Sequence, residues 1–445
     1  MKKTSGLHGL SPSLRFTMPV IFENIFTSVI NLVFSAILGG ISASSLAAAG
    51  TGNQIMNLIT AFFSIIITGA SVLVALNTGK QDRAQTARVV EQSVLLVPVI
   101  SVFALMILYA VSSPVMRVLM PGADDAFFAE GLEYYRMMIL SLPGLAATNV
   151  FSSILRAAGD SRAALFCTLF SNAVQILSAV LFVSVLELGI SGAGLSYIVC
   201  RYIGAAALLF ALSRHRRHFE IRLGKSLIPD KRVICEILRV GLPSVVDGIA
   251  VHGGYVLINS LLIDLGKEIS SVYNVIVALI GFSGISQAIV STSVTTISGQ
   301  QIGAGFLLKA RKSHMRIMLM GIAFSALISV VMLIFPSFFA GLFTRDSGIR
   351  SESAKVVWLS LLFVIPAVGV NASEPAARVG GMGKGVMISA SACVWLIRVP
   401  LTWLFCYPLD MGVTGVYLAN TVSCYVRLAV AVFMIRSEKW GKKTV

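Results

Sequence analysis

The sequence predicts an all-α integral membrane protein with twelve transmembrane helices in two parallel six-helix repeats. Three observations carry that reading. The chain is 56% hydrophobic and only 12% charged, with a mean hydropathy of +0.86, far outside the composition of soluble domains. Apolar runs of about 20 residues, enough to cross ~30 Å of hydrocarbon, recur from one end to the other. A proline followed four residues later by a carboxylic acid opens each half: Pro19 and Glu23 in MPVIFENI, Pro243 and Asp247 in LPSVVDGI, 224 residues apart.

The first run, 16–38, follows Arg15 and carries Pro19, Glu23, Thr27 and Asn31; the second, 53–76, ends before the charged loop GKQDRAQTAR. Runs 90–111, 132–155, 163–186 and 191–212 complete the first half. The second half repeats the count with 240–264, 272–298, 315–342, 356–378, 386–408 and 414–435. Several contain Pro, Gly, Asn, Gln or Ser at mid-depth, which is tolerated where a helix faces other helices or a wet cavity. Transmembrane strands would instead alternate over ~10-residue segments, and these runs are too long and continuous.

Charge sets the orientation. Of 35 Lys and Arg, 24 fall in the N-terminus, the even-numbered loops and the C-terminus, densest in SRHRRHFEIRLGKSLIPDKR at 213–232. By the positive-inside rule these segments and both termini are cytoplasmic, in a cytoplasmic (inner) membrane. The net charge of +15 is explained by this bias and by anionic lipid rather than by nucleic acid. MKKTSG precedes a span-length run with no small-residue cleavage site, so no signal peptide is expected to be removed. The six cysteines show no C-x-x-C spacing and read as small apolar residues.

The repeat extends beyond the opening acids. An offset of 224 matches Gly79 with Gly303 and Gly159 with Gly383; an offset of 223 matches Pro143 with Pro366, Gly189 with Gly412, Gly192 with Gly415 and Leu195 with Leu418. Six spans per copy is even, so both copies enter from the same side. The expected organisation is a lobe at 1–212, a cytoplasmic linker at 213–232 and a lobe at 233–445, rocking in alternating access.

LRAAGDSRAAL at 155–165, GASVLVALNTGKQDRAQTAR at 69–88, GISGAGLSY at 189–197, GVTGVYLAN at 412–420, GLPSVVDGI, GQQIGAG at 299–305 and LFTRD at 342–346 together resemble the multidrug and toxic compound extrusion (MATE) transporters, in the right order over nearly the full chain. The resemblance implies a twelve-helix exporter driven by a Na⁺ or H⁺ gradient. Two positions depart from the family. Phe34 stands in NLVF where many members carry an aspartate, and Asn172 is followed four residues later by Ile176 rather than by Asp. A cation site built on those two carboxylates is missing.

Glu23 and Asp247 are each eight residues past an arginine and so about 12 Å inside the cytoplasmic edge. An acid at that depth costs roughly 2.5–3.5 kcal/mol on insertion scales and calls for a solvated or paired setting. Either the pair couples ions to transport, or it makes inter-helix hydrogen bonds. Thr27 and Asn31 continue one polar stripe from Glu23, and Tyr255 and Asn259 continue another from Asp247; Asn172 and Gln175 in the fifth run join this ion-coupling and substrate set. His252 lies about 140° around the helix from Asp247 and is either a proton-accepting cavity group or a core histidine. Glu374 and Arg378, four apart, suit a salt bridge at a gate or interface. Arg201, Arg398 and Arg427 lie well inside their runs; they snorkel or hold structural pairs, and the depth of Arg398 calls for an acidic partner or an anionic ligand. Phe26, Phe34, Phe62, Phe63, Tyr255 and Tyr273 are aromatic walls for an organic cation or ordinary packing.

No enzyme signature is found. GGMGKG at 380–385 lacks the phosphate-loop spacing, and no H-E-x-x-H, Cys/His metal cluster or G-x-S-x-G occurs. The expectation is a monomeric antiporter of small, cationic or amphipathic organic compounds, without cofactor or metal, in contact with membrane lipid. A flippase of lipid-linked saccharide from the same superfamily and a non-transporting membrane scaffold are the alternatives.

Overall fold

A computed structural model describes residues 12–41, 43–119, 125–214, 228–264, 267–344 and 346–442. Most of the expected linker, 215–227, lies outside them, as do Lys2 and Lys225. Among the described residues the chain is helical and contains no strand. Seven helices among the described residues are long and apolar enough to cross a membrane, or up to nine if each of two bent pairs is one span, so this is a multi-pass membrane protein.

Local chemistry explains the breaks. The pair Phe128–Leu140 and Leu142–Ala157 bends by 45° at Ser141, just ahead of Pro143, which has no N–H to continue the ladder. Phe335 interrupts the run at 315–342 directly before Pro336. The stretch Leu359–Cys406 is 48 residues long, about twice a span at 1.5 Å per residue, and it is broken at Gly381, whose φ is 83°.

The chain folds into two compact units, one of Met18–Leu242 and the other of Met1–Thr17 with Pro243–Val445. In the first, two helices approach backbone to backbone: a Cβ on Gly241 would fall 1.8 Å from the Ile65 carbonyl oxygen, and one on Gly69 2.2 Å from that of Ile237. Small residues permit such contact where no hydrophobic force drives helices together. A core of buried Val, Ile, Leu and Ala runs from Phe34 to Ile237. In the second unit, the largest group packs Ile258, Leu262, Tyr273, Val416 and Tyr417 together.

Left-handed backbone recurs at matching places in the two units. Gln81 (φ 59°) corresponds to Gly305 (81°), Gly159 (93°) to Gly381 (83°), Glu187 (53°) to Asp410 (47°) and Gly189 (57°) to Gly412 (51°). The glycine that shares the conformation of Gly159 is thus Gly381 rather than Gly383. The local offset is 222, because Arg156 and Arg378 each precede the turn glycine by three residues.

Candidate functional site

The LRAAGDSRAAL motif has a structural logic. Arg156 lies in the last turn of Leu142–Ala157, Gly159 takes the left-handed conformation that ends the helix, and the Asp160 carboxylate accepts a hydrogen bond from the Ala163 N–H at 3.0 Å to cap Ser161–Ala179. This hairpin aims Arg156 at the Pro12–Ile41 helix. Arg156 Nη1 donates to Glu23 Oε1 at 2.7 Å, Thr168 Oγ1 donates to the same oxygen at 3.0 Å, and Arg156 Nη2 donates to Ser152 Oγ at 2.9 Å. One turn along, Asn172 Nδ2 donates to Thr27 Oγ1 at 3.1 Å. Glu23 is 7% exposed, and its Oε2 has no hydrogen-bond partner.

The second unit builds a larger cluster from the corresponding position. Arg378 Nη2 donates to Asp247 Oδ2 at 2.6 Å. Arg427 donates from Nε and Nη2 to the two oxygens of Glu374, both at 2.9 Å, and its Nη2 lies 3.5 Å from Asp247 Oδ1. The i,i+4 pair of Glu374 with Arg378 is present at 3.7 Å, but Arg427 is the closer partner. Two carboxylates and two guanidiniums balance in charge. A buried network of this kind is strongly destabilised when one member is removed, by about 3–5 kcal/mol, because a charge is then left uncompensated. GGMGKG follows from the same turn: Gly381 is left-handed, and a Cβ on Gly380 would meet the Trp440 ring at 2.3 Å.

A cavity of about 290 Å³ opens on this cluster, lined by Asp247, His252, Tyr255, Glu374, Arg378, Arg398 and Arg427 among others. A second, of about 220 Å³, is walled by Tyr255, Tyr273, Phe363 and Tyr417 with aliphatic neighbours. Arg398 lines both. It ends a π-helical turn, Cys393–Arg398, set by Pro400, which has no N–H to offer the preceding turn. Its guanidinium carbon lies 4.1 Å from the centre of the Tyr255 ring.

His252 lines the first cavity together with Asp247. Asn31 and Asn259 are exposed and line neither cavity. Gln175 is buried with its Nε2 unpartnered. Arg201 stacks 5.6 Å from the Tyr197 ring centre. Phe34 is 2% exposed and packs edge-on against Tyr197 at 4.8 Å, so an apolar contact fills the place of the family's aspartate. The acids are not bare charges: Glu23, Asp247 and Glu374 each carry an arginine. Arg156, missed as a site residue, could have been found from the spacing it shares with Arg378, three residues before a glycine.

The MatE family model matches twice, over residues 19–181 and 243–404. The chain belongs to the MatE family. Among its relatives is the probable multidrug resistance protein NorM of Thermotoga maritima, 24% identical over 97% of this chain and 93% of that protein. Among solved structures, an outward-facing multidrug resistance MATE family transporter of the MOP superfamily superposes with a TM-score of 0.87 at 20% identity, over 98% of both chains. A MOP superfamily transporter from Pyrococcus furiosus, described by the reverse polarity of its binding pocket, gives the same TM-score, identity and coverage. This MATE transporter therefore shares its fold with them, and transport rather than catalysis is the family's activity.

Proposed function

We propose that this MATE transporter is a secondary active exporter of small organic compounds, driven by H⁺ or Na⁺ entry through rocker-type alternating access. The reading includes twelve spans in two parallel repeats, lobes at 1–212 and 233–445 joined by a cytoplasmic linker at 213–232, both termini cytoplasmic, and a monomer in the inner membrane. Lipid surrounds it; no nucleic acid, metal or cofactor beyond the coupling ion takes part. Support comes from the double match of the family model and from relatives that include multidrug resistance proteins.

The observation that carries the coupling role is the matched pair of buried contacts, Glu23 with Arg156 and Asp247 with Arg378. A proton on either acid removes its charge, and a Na⁺ ion competes with the guanidinium for the same oxygens. Either event loosens the helix bearing the acid from the helix bearing the arginine, a local charge change that can bias a two-state element. Each of the three carboxylates has a basic neighbour, so a cationic substrate would rest on aromatic faces such as Tyr255 and Tyr273, and the reading covers cationic and amphipathic compounds alike. Flippase activity toward lipid-linked saccharide is the second reading, favoured by the additional arginine at the cavity. The test is purified protein in liposomes with an imposed pH or Na⁺ gradient. Gradient-dependent movement of a soluble fluorescent compound supports export; movement of labelled lipid alone supports the flippase, and no movement of either supports a scaffold.

A further inference from the structure

Resting on the exporter reading, we propose that the cavity of the Pro243–Val445 unit binds a small amphipathic anion, with its anionic group on Arg398 and its apolar body among Tyr255, Tyr273, Phe363 and Tyr417. The charges lining this site do not cancel. Asp247 and Glu374 are matched by Arg378 and Arg427, and Arg398 is a third guanidinium. Among the described residues no carboxylate lies within ion-pair distance of it. It is 4% exposed, and its Nε has no hydrogen-bond partner. A buried cation without a counter-charge is costly in a membrane interior and marks a ligand or ion path.

The geometry selects the class of ligand. Tyr255 covers one face of the guanidinium at 4.1 Å and Tyr273 is a side-chain hydrogen-bond neighbour of it; the π-face contact leaves Nε, which has no partner, to donate. The guanidinium edge is a planar fork matched to a carboxylate, sulfonate or phosphate. Arg398 stands where a polar chamber and an aromatic one meet: Tyr255, Gln287, Phe363, Arg398 and Asn420 are common to both. A ligand with its charge at Arg398 can therefore put an aromatic or aliphatic body against Tyr273, Ile280 and Tyr417. Asp247 and Glu374 in the polar chamber disfavour more than one negative charge, and chambers of about 290 and 220 Å³ suit a small molecule. At an offset of 223 residues the first half has Gln175 where the second has Arg398, so this charge is a property of the second half alone.

The test is equilibrium dialysis of the full-length protein in zwitterionic nanodiscs, with empty nanodiscs as control, against 2-naphthoate, neutral 2-naphthamide and cationic 2-naphthylmethylammonium. Saturable naphthoate binding is expected, about tenfold or more tighter than for the amide, given the strength of a charge-assisted hydrogen bond. Arg398→Gln should lose that preference, and Arg398→Lys should keep part of it. Displacement of naphthoate by short-chain phosphatidate would give the anion a lipid source, and a lack of displacement a soluble one. Equal binding of all three probes, or no saturable naphthoate binding, overturns the proposal; this comparison uses the unaltered protein and does not depend on how the variants fold. Gradient-driven dye transport in liposomes is scored separately. Charge-selective binding without transport sinks the exporter reading alone, and transport without charge-selective binding sinks the anion site alone.

Discussion

Glu374 offers the sharpest stability prediction. It is 4% exposed and accepts both donors of Arg427 at 2.9 Å, with Arg378 at 3.7 Å. Glu374→Gln keeps its size but leaves Asp247 facing two guanidiniums, and removing one member of such a buried network costs about 3–5 kcal/mol. Arg427→Met alone leaves two carboxylates facing Arg378, with a cost of similar size. The double variant restores balance, because Asp247 keeps Arg378 at 2.6 Å. It should lie within about 1–2 kcal/mol of the unaltered protein, a coupling at or above the usual upper range of about 3 kcal/mol for contacting pairs. The assay is reversible unfolding in mixed micelles with increasing SDS, followed by tryptophan fluorescence, for all four proteins of the cycle. Additive costs in the double variant would refute the charge-balance argument.

Two further outcomes follow from backbone and charge. Gly159→Ala and Gly381→Ala should each lower stability by about 1–2 kcal/mol, the cost of a left-handed conformation for a residue with a Cβ, whereas Gly383→Ala should cost less; equal loss at all three positions in a thermal melt would contradict the assignment of the turn. Cysteine labels at Lys2, Lys225 and Lys442 should react from the cytoplasmic side and labels at Asp125 and Arg350 from outside, following the positive-inside rule. Lys225 labelled from outside would overturn both the orientation and the linker.

What the sequence made legible was periodic or compositional. Helices cover the apolar runs because about 20 apolar residues in a bilayer have no other way to satisfy their backbone, and the acids four residues after Pro19 and Pro243 could be read directly. The arginines were harder. Arg378 was legible through its i,i+4 spacing from Glu374, but Arg427 and Arg156 meet their acids across 53 and 133 residues of sequence, a distance that only helix packing closes. Arg156 was hidden inside a family motif and Gly381 by an offset that shifts from 224 to 222. Arg398 announced its depth, but the sequence left open an acidic partner, which the described structure lacks. The bend at Ser141 and the helix break at Phe335 were written in Pro143 and Pro336, which the hydropathy of the runs conceals.

The most direct test of the coupling role is transport by Glu23→Gln/Asp247→Asn in proteoliposomes under an imposed pH or Na⁺ gradient, beside the unaltered protein. Both substitutions keep shape and hydrogen bonding while removing the charges held by Arg156 and Arg378. The prediction is a double variant that still inserts and folds, though less stable than the unaltered protein because Arg156 and the Asp247 network each lose a counter-charge, and whose gradient-driven transport falls to background, with Glu23→Gln alone losing more than Asp247→Asn alone, because Glu374 remains beside Arg378 in the second unit while Glu23 is the acid paired with Arg156 in the first. Transport by the double variant at the unaltered rate, with unchanged dependence on the gradient, would contradict the account and leave the two pairs as structural contacts.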